Sequence, residues 1–383
     1  MRKKLAIIST HPIQYYAPVF QLLAKQLKLK VFYTWGEQSL HKYDQGFKQH
    51  IVWDIPLLEG YDYTFLMNTA KDPGTHHFKG IINPGLVDAI QDFAPDAILI
   101  YGWAWQSHLK ALRHFKGKIP VYFRGDSTLL DQQNGLKHLL RKLFLRWVYS
   151  HVDYAFYVGT ANKAYFRYFG LKERQLIFAP HAIDNARFEL SASEEAKALR
   201  ENLGVGINDI LILFAGKLES KKAPLFLLHA FQQLNNPNLH LLFVGNGQLE
   251  QTLKDTVKAN TINNVHFMDF QNQTQMPSIY QCADLFCLPS QGPGETWGLA
   301  VNEALASGLA VLVSDKVGCA TDLVDSTVGD CFKSGDIGDI KQKLIALTAQ
   351  KQTLASMGQN AKQKIQEWSF EHQAQAIVEY VSR

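Results

Sequence analysis

The sequence predicts an α/β protein made of two doubly wound parallel sheets in tandem, and three observations carry that expectation. The chain has 383 residues, more than one hydrophobic core ordinarily supports. Short β-rich apolar runs alternate with helix-period segments almost throughout. Hydrophobic residues make up 46% and charged residues 19%, the balance of an ordinary folded chain, which excludes disorder.

In the first half, strands are expected at Leu5–Ser9, Leu29–Tyr33, Ala97–Tyr101, Pro120–Phe123, Tyr154–Val158 and Leu176–Ala179. In the second they are expected at Ile210–Ala215, Leu239–Val244, Val265–Met268, Leu285–Leu288 and Ala310–Val313. The join falls near Asp184–Ser193, where the polar segment from Ser191 to Glu195 opens a new helix. Domains over 1–187 and 188–369 follow.

Met1-Arg2-Lys3-Lys4 followed by Leu5-Ala6-Ile7-Ile8 begins as a secretory leader does, but the apolar run stops at Ser9-Thr10-His11 and reads as a buried strand. The longest other candidate, around Ala97–Trp105, is far below the ~20 apolar residues of a membrane span. Cys282, Cys287, Cys319 and Cys331 have neither zinc-like nor redox spacing, which fits a cytoplasmic location. Residues 1–190 hold 24 Lys+Arg against 15 Asp+Glu (net +9) and the remainder 15 against 20 (net −5), giving +4 overall. The first half is therefore expected to meet something anionic, a phosphate-bearing acceptor or a phospholipid surface. No recognised nucleic-acid motif accompanies the charge.

In open α/β sheets ligands bind beyond the carboxyl ends of the strands, which directs attention to three loops. The first is Pro289-Ser290-Gln291-Gly292-Pro293-Gly294-Glu295-Thr296-Trp297-Gly298, opening a helix that carries Glu303. There the amides of Thr296, Trp297, Gly298 and Leu299 can donate to a polar ligand, and two carboxylates can address it. The alternative is a helix-entry glutamate favoured by the dipole and a solvated mid-helix one. The second loop, Gly216-Lys217-Leu218-Glu219-Ser220-Lys221-Lys222, leaves the first strand of the second half and places two ammonium groups where a diphosphate can sit, or where water solvates them. The third, Val244-Gly245-Asn246-Gly247, permits close backbone approach by a ligand, or is simply a tight turn.

In this order and spacing the three loops resemble the family-4 glycosyltransferases, retaining enzymes of the GT-B fold. Glu295 and Glu303 match the family's Glu-x7-Glu motif, and Gly216-Lys217-Leu218 with Lys222 matches its Gly-Arg/Lys-Leu segment and following lysine. Phe267-Met268-Asp269-Phe270 and Ala179-Pro180-His181-Ala182-Ile183-Asp184 are similar to its base-pocket and pre-linker segments. The resemblance runs from about Leu176 to the C-terminus. It implies two Rossmann-like domains facing across a cleft, an acceptor-binding one completed by a C-terminal helix at about 370–383, and a donor-binding one. It further implies a nucleotide-diphosphate sugar as co-substrate and no metal ion or other cofactor. Glu295 would then contact the transferred sugar and Glu303 the ribose, while Lys217 and Lys222 would neutralise the departing diphosphate. Gly216, Gly245, Asn246, Phe270, Thr296, Trp297, Gly298 and Leu299 would complete the donor site. The transfer would serve cell-surface polysaccharide or glycolipid synthesis. An epimerase or hydrolase acting on sugar nucleotides, or a non-catalytic nucleotide-sugar-binding protein, is the alternative.

The first half departs from the family pattern. After the first strand stands Thr10-His11-Pro12-Ile13-Gln14-Tyr15 instead of a glycine-rich loop, with His11, Gln14 and Tyr15 as acceptor-site candidates. Where relatives carry a histidine-aspartate pair, this chain has Arg124-Gly125-Asp126; Arg124 can bind phosphate and Asp126 can orient an acceptor hydroxyl, or the two can pair. Trp103 can offer an aromatic face to a sugar. The segment 135–147 reads as a basic amphipathic helix with a stripe of Leu136, Leu140, Leu143 and Trp147. That stripe either packs on the first sheet or docks on the anionic inner face of a membrane.

Overall fold

The computed structural model describes residues 2–41, 43–44, 47, 49–132 and 135–383. In chain order its strands are β1 (Lys4–Ser9), β2 (Lys28–Tyr33), β3 (Tyr43–Asp44), β4 (Gln49–His50), β5 (Asp62–Phe65), β6 (Ala97–Tyr101), β7 (Val121–Arg124), β8 (Tyr154–Tyr157), β9 (Leu176–Phe178), β10 (Ile210–Ala215), β11 (Leu239–Val244), β12 (Val265–Met268), β13 (Leu285–Leu288), β14 (Ala310–Ser314) and β15 (Gly329–Phe332).

Two sheets result. The first has the order β5-β2-β1-β6-β7-β8-β9 and the second β12-β11-β10-β13-β14-β15, and every pairing in both is parallel. Parallel strands covered by helices on both faces must be apolar throughout, and Ile210–Ala215, Leu239–Val244 and Leu285–Leu288 are buried at every position. Strand order reverses between β1 and β6 in one sheet and between β10 and β13 in the other, so each sheet opens a crevice there. The lysine loop leaves β10 and the glutamate loop β13, at the reversal, while the glycine turn leaves the neighbouring β11.

The chain divides into two compact units. Unit 1 comprises Met1–Lys42, Ile55–His181 and Phe370–Arg383; unit 2 comprises Tyr43–Asp54 and Ala182–Ser369. The division falls between His181 and Ala182, a few residues before the position read from the sequence, and Tyr43–Asp54 joins unit 2 although it interrupts the first half. In unit 1 the closing helix Phe370–Val381 packs on Ala17–Gln26, and the Tyr122 hydroxyl donates to the Tyr380 carbonyl at 2.8 Å.

Four strands escape the sequence reading: the two-residue β3 and β4, which pair with each other, and β5 and β15, which lie at sheet edges where the apolar signature is weakest. Asp62-Tyr63-Thr64-Phe65 is half exposed, and Gly329-Asp330-Cys331-Phe332 contains a glycine and an aspartate. A further difference concerns the basic helix, which spans Leu136–Tyr149. Leu145, Val148 and Tyr149 are the residues it buries, while Leu136, Leu140, Leu143 and Trp147 are exposed. Packing of that stripe on the sheet is thus overturned. The four cysteines are free; burial pushes the Cys282 thiol up to about 12 and the Cys331 thiol to about 11, so they pack as small apolar groups.

Under the crevice of unit 1 lies His108, fully buried. Its Nδ1 faces the carbonyls of Tyr101 and Gly102 at 3.1 and 3.0 Å, and its Nε2 meets the Thr34 hydroxyl at 2.8 Å. Carbonyls only accept, so Nδ1 carries the proton of a neutral ring, which joins the ends of β2 and β6. Burial lowers its pKa from 6.5 to about 4, and burial with the Arg124 charge lowers that of His181 to about 3. Both depressed values mean that the unfolded chain takes up protons first. Stability is therefore full above pH 6.5 and declines as the pH falls toward about 4, by a magnitude of order 3 kcal/mol for His108. Urea-unfolding midpoints between pH 7.5 and 4.5 should fall steadily, and less steeply in His108→Gln; an equal slope in the variant would remove His108 from the account.

Candidate functional site

At the crevice of unit 2, β10 ends in Gly216-Lys217 and β13 ends in the loop that reaches Glu295. The two loops are tied by the Gln291 amide, which donates to the Lys221 carbonyl at 2.9 Å. Beside that tie, Lys222 Nζ stands 2.6 Å from Glu295 Oε2, and the Ser290 hydroxyl donates to the same oxygen at 2.9 Å. Glu295 is 7% exposed, so it is a buried carboxylate held by a cation and a hydroxyl rather than a solvated helix-entry charge.

Glycines permit this convergence. Gly216 and Gly245 adopt φ of 150° and 127°, and a Cβ on Gly245 would lie 2.2 Å from the Gly216 carbonyl oxygen. Next to it, Asn246 is occupied with architecture: its side chain donates to Glu250 and Asp269 at 3.1 Å each and accepts from the Phe270 amide at 2.7 Å. The turn after β11 thereby positions Phe270 beyond β12.

Gly298 caps the helix Leu299–Ala306 with φ of 96°. The Glu295 and Trp297 carbonyls accept from the Gly318 and Cys319 amides at 3.0 and 2.9 Å, so the loop after β14 braces the helix entrance. Trp297 itself turns into the unit, its indole donating to Asn302 at 2.9 Å and its ring 5.1 Å from that of Trp368. Any part it plays toward a ligand is a backbone one. Thr296 and Leu299 stay half exposed at the entrance. Glu303, one and a half turns on, is 5% exposed and accepts from the buried Tyr280 hydroxyl at 2.8 Å, which overturns its reading as a solvated surface charge.

Lys217 has a partner that sequence reasoning missed. Asp44 Oδ1 lies 2.9 Å from its Nζ, and the Phe47 ring centroid is 4.9 Å from the same ammonium. Phe47 and Trp53 also pack against Phe270, with centroids 4.7 and 6.2 Å apart. Asp54 and the Val52 carbonyl are joined to Thr274 and Asn272. Asp44, Phe47 and the stretch from Val52 to Asp54 thus meet the β10 and β12 loops of unit 2. Nothing local in the sequence there signals this, because every partner is more than 150 residues away.

The candidates of the first half lie at the carboxyl edge of the unit 1 sheet. His11 Nδ1 is 2.8 Å from the Thr10 hydroxyl and its ring 5.3 Å from Trp35; Gln14 and Tyr15 form the half-exposed turn before Ala17–Gln26. Trp103 packs edge-on to Phe144 at 5.5 Å. Arg124 is 3% exposed, and its guanidinium donates to the carbonyls of Ala179 and Pro180 at 2.8 and 2.9 Å, bridging the ends of β7 and β9 across β8. Asp126, half-buried just beyond β7, raises the pKa of the Tyr16 hydroxyl, which burial already pushes up. The structure thus brings Asp126 near the β1 loop while Arg124 serves the backbone.

Comparison with known proteins agrees with this architecture. Residues 195–364 match the model of the family described as glycosyl transferases group 1. A D-inositol 3-phosphate glycosyltransferase of Gordonia bronchialis is 26% identical over 196 residues, 48% of this chain and 42% of that protein. A GDP-mannose-dependent monoacylated alpha-(1-6)-phosphatidylinositol monomannoside mannosyltransferase of Corynebacterium glutamicum is 26% identical over 235 residues, 59% of this chain and 61% of its own. The matched part thus spans about half the length of these relatives. Among solved structures, Anabaena Alr3699/HepE in complex with UDP superposes with a TM-score of 0.75 at 18% identity, covering 99% of both chains, which shows a shared fold. Residues 195–364 thus match the glycosyl transferases group 1 family, and the two parallel-sheet units around them have the GT-B fold.

Proposed function

We propose that this chain moves a sugar from a nucleoside-diphosphate sugar to a hydroxyl of a glycan, lipid-linked or small-molecule acceptor, with retention at the anomeric carbon and without a metal ion, in the synthesis of a cell-surface polysaccharide or glycolipid. The observation that carries this reading is the Lys222–Glu295 pair at the strand-order reversal of the unit 2 sheet, with Lys217 leaving the end of β10 there and Glu303 in the helix that follows Glu295. Both lysines are placed to meet the diphosphate, Lys217 after Asp44 yields its place to a phosphate oxygen. Negative charge grows on that phosphate as the C1–O bond breaks, so a preorganised cation acts where the transition state differs from the ground state. The acceptor oxygen forms its bond to C1 on the face the diphosphate leaves, and its proton passes to the departing phosphate oxygen. Glu295 holds sugar hydroxyls, Glu303 holds the ribose, and Phe270 lines the base pocket. Asp126 orients the acceptor hydroxyl, with His11, Gln14, Tyr15 and Trp103 lining its site.

One relative is named for GDP-mannose and one structural neighbour was solved with UDP, so the donor base is a matter for direct measurement. Thermal unfolding in the presence of EDTA should shift upward with one of UDP-, GDP- or ADP-sugars; ligand at ~100 times its Kd adds about 2.7 kcal/mol to the folded state. A shift that requires added magnesium or manganese would overturn metal independence, and no shift with any nucleotide would overturn the donor site. Proton NMR of the product reads retention directly, through the anomeric coupling.

A further inference from the structure

The helix Leu136–Tyr149 presents two apolar faces, one buried in unit 1 and the other largely exposed, with Trp103 and Arg113 meeting it at Phe144 and Trp147. Leu145, Val148 and Tyr149 anchor it in the unit 1 core. On the opposite side Leu136, Leu139, Leu140, Leu143, Phe144 and Trp147 are 74, 52, 61, 59, 42 and 41% exposed. At about 100° per residue these six fall on one continuous arc. Lys137 and Arg141 border that arc on one side, Lys142 and Arg146 on the other, and the helix holds no acidic residue. Folded chains rarely leave a contiguous patch of this kind in water.

We infer that this helix is a membrane-docking element, lying in the plane of an anionic phospholipid surface with its leucines, Phe144 and Trp147 among the acyl chains and its four cations at the phosphates. The geometry is that of an interfacial helix: an apolar stripe outward and basic residues at both flanks. Charge decides the occupant. A second copy of this chain would set four cations against four others, whereas anionic lipid neutralises them and raises the local concentration of the protein. The buried face explains why the helix does not need the membrane to form, since it is already fixed to the sheet through Leu145, Val148 and Tyr149. No helix among the described residues is long and apolar enough to cross a bilayer, so the attachment is peripheral.

Co-sedimentation of the full chain with vesicles of phosphatidylcholine, alone or mixed with phosphatidylglycerol, tests this. The wild type should pellet with the mixed vesicles, weakly with phosphatidylcholine alone, and less as salt rises. The triple variant Leu136→Ser, Leu140→Ser, Leu143→Ser should keep its thermal midpoint, because those side chains are exposed, and lose roughly tenfold or more in partitioning. Equal binding by variant and wild type, or no binding of the wild type to the mixed vesicles, would overturn the inference. So would a concentration-dependent dimer that the variant abolishes, which would assign the face to a second copy. None of these outcomes bears on nucleotide binding, so the transfer reading stands or falls separately.

Discussion

Lys222→Ala is expected to lower kcat by roughly 10²–10³ while changing the KM for the donor far less, the signature of a charge that acts on the leaving group. Its ammonium is held 2.6 Å from Glu295, so its position is fixed before any ligand arrives. Removing it also leaves the Glu295 carboxylate facing the Ser290 hydroxyl in a buried place without its cation, and breaking a buried pair costs about 3–5 kcal/mol when both partners are fully enclosed. Lys222 retains 17% of its side-chain exposure, which puts the cost at the low end. Glu295→Gln separates the two effects, because the amide keeps the shape and can still accept from Ser290. That variant should lose less stability than Lys222→Ala, because the partly exposed Lys222 ammonium keeps an amide oxygen to meet, and still lose transfer. Rates from single-turnover assays on variants whose unfolding midpoints are known decide the matter: near-wild-type turnover by a folded Lys222→Ala protein would remove the lysine from the chemistry.

Gly245→Ala should have the largest effect on the fold of the donor site. The new Cβ would lie 2.2 Å from the Gly216 carbonyl, a backbone atom that cannot turn aside, at a φ of 127° that alanine rarely adopts. The ends of β10 and β11 would have to part, at a cost on the order of 3 kcal/mol. Lys217 and Lys222 leave β10 just beyond that point, so nucleotide affinity should fall together with stability. Denaturant unfolding and a nucleotide titration check both; an unchanged midpoint would mean that the two strand ends can separate freely.

What the sequence made legible follows from the range of the interactions involved. Glu295, Glu303, Lys217 and Lys222 sit at fixed offsets in two loops that leave apolar, buried strands, so their grouping is a matter of strand order and local spacing. Tyr43–Asp54 is the opposite case. Asp44, Phe47 and Trp53 acquire meaning only through Lys217 and Phe270, far along the chain, and no periodicity marks them. The basic helix failed for another reason: its apolar residues occupy two opposite faces, and periodicity alone does not say which face meets the sheet. Arg124 is similar, a charge at a strand end whose partners turn out to be two main-chain carbonyls.

Neither unit is encoded by one continuous stretch. Unit 1 includes Phe370–Arg383 and unit 2 includes Tyr43–Asp54, so the polypeptide passes between them four times. A fragment beginning at Ala182 would lack Asp44, Phe47 and Trp53, leaving Lys217 without its ion pair and Phe270 without its aromatic neighbours. A fragment ending at His181 would lack the helix that packs on Ala17–Gln26. Hybrids with related chains therefore need more than one splice: the tail must travel with the first unit, and the short inserted strap with the second.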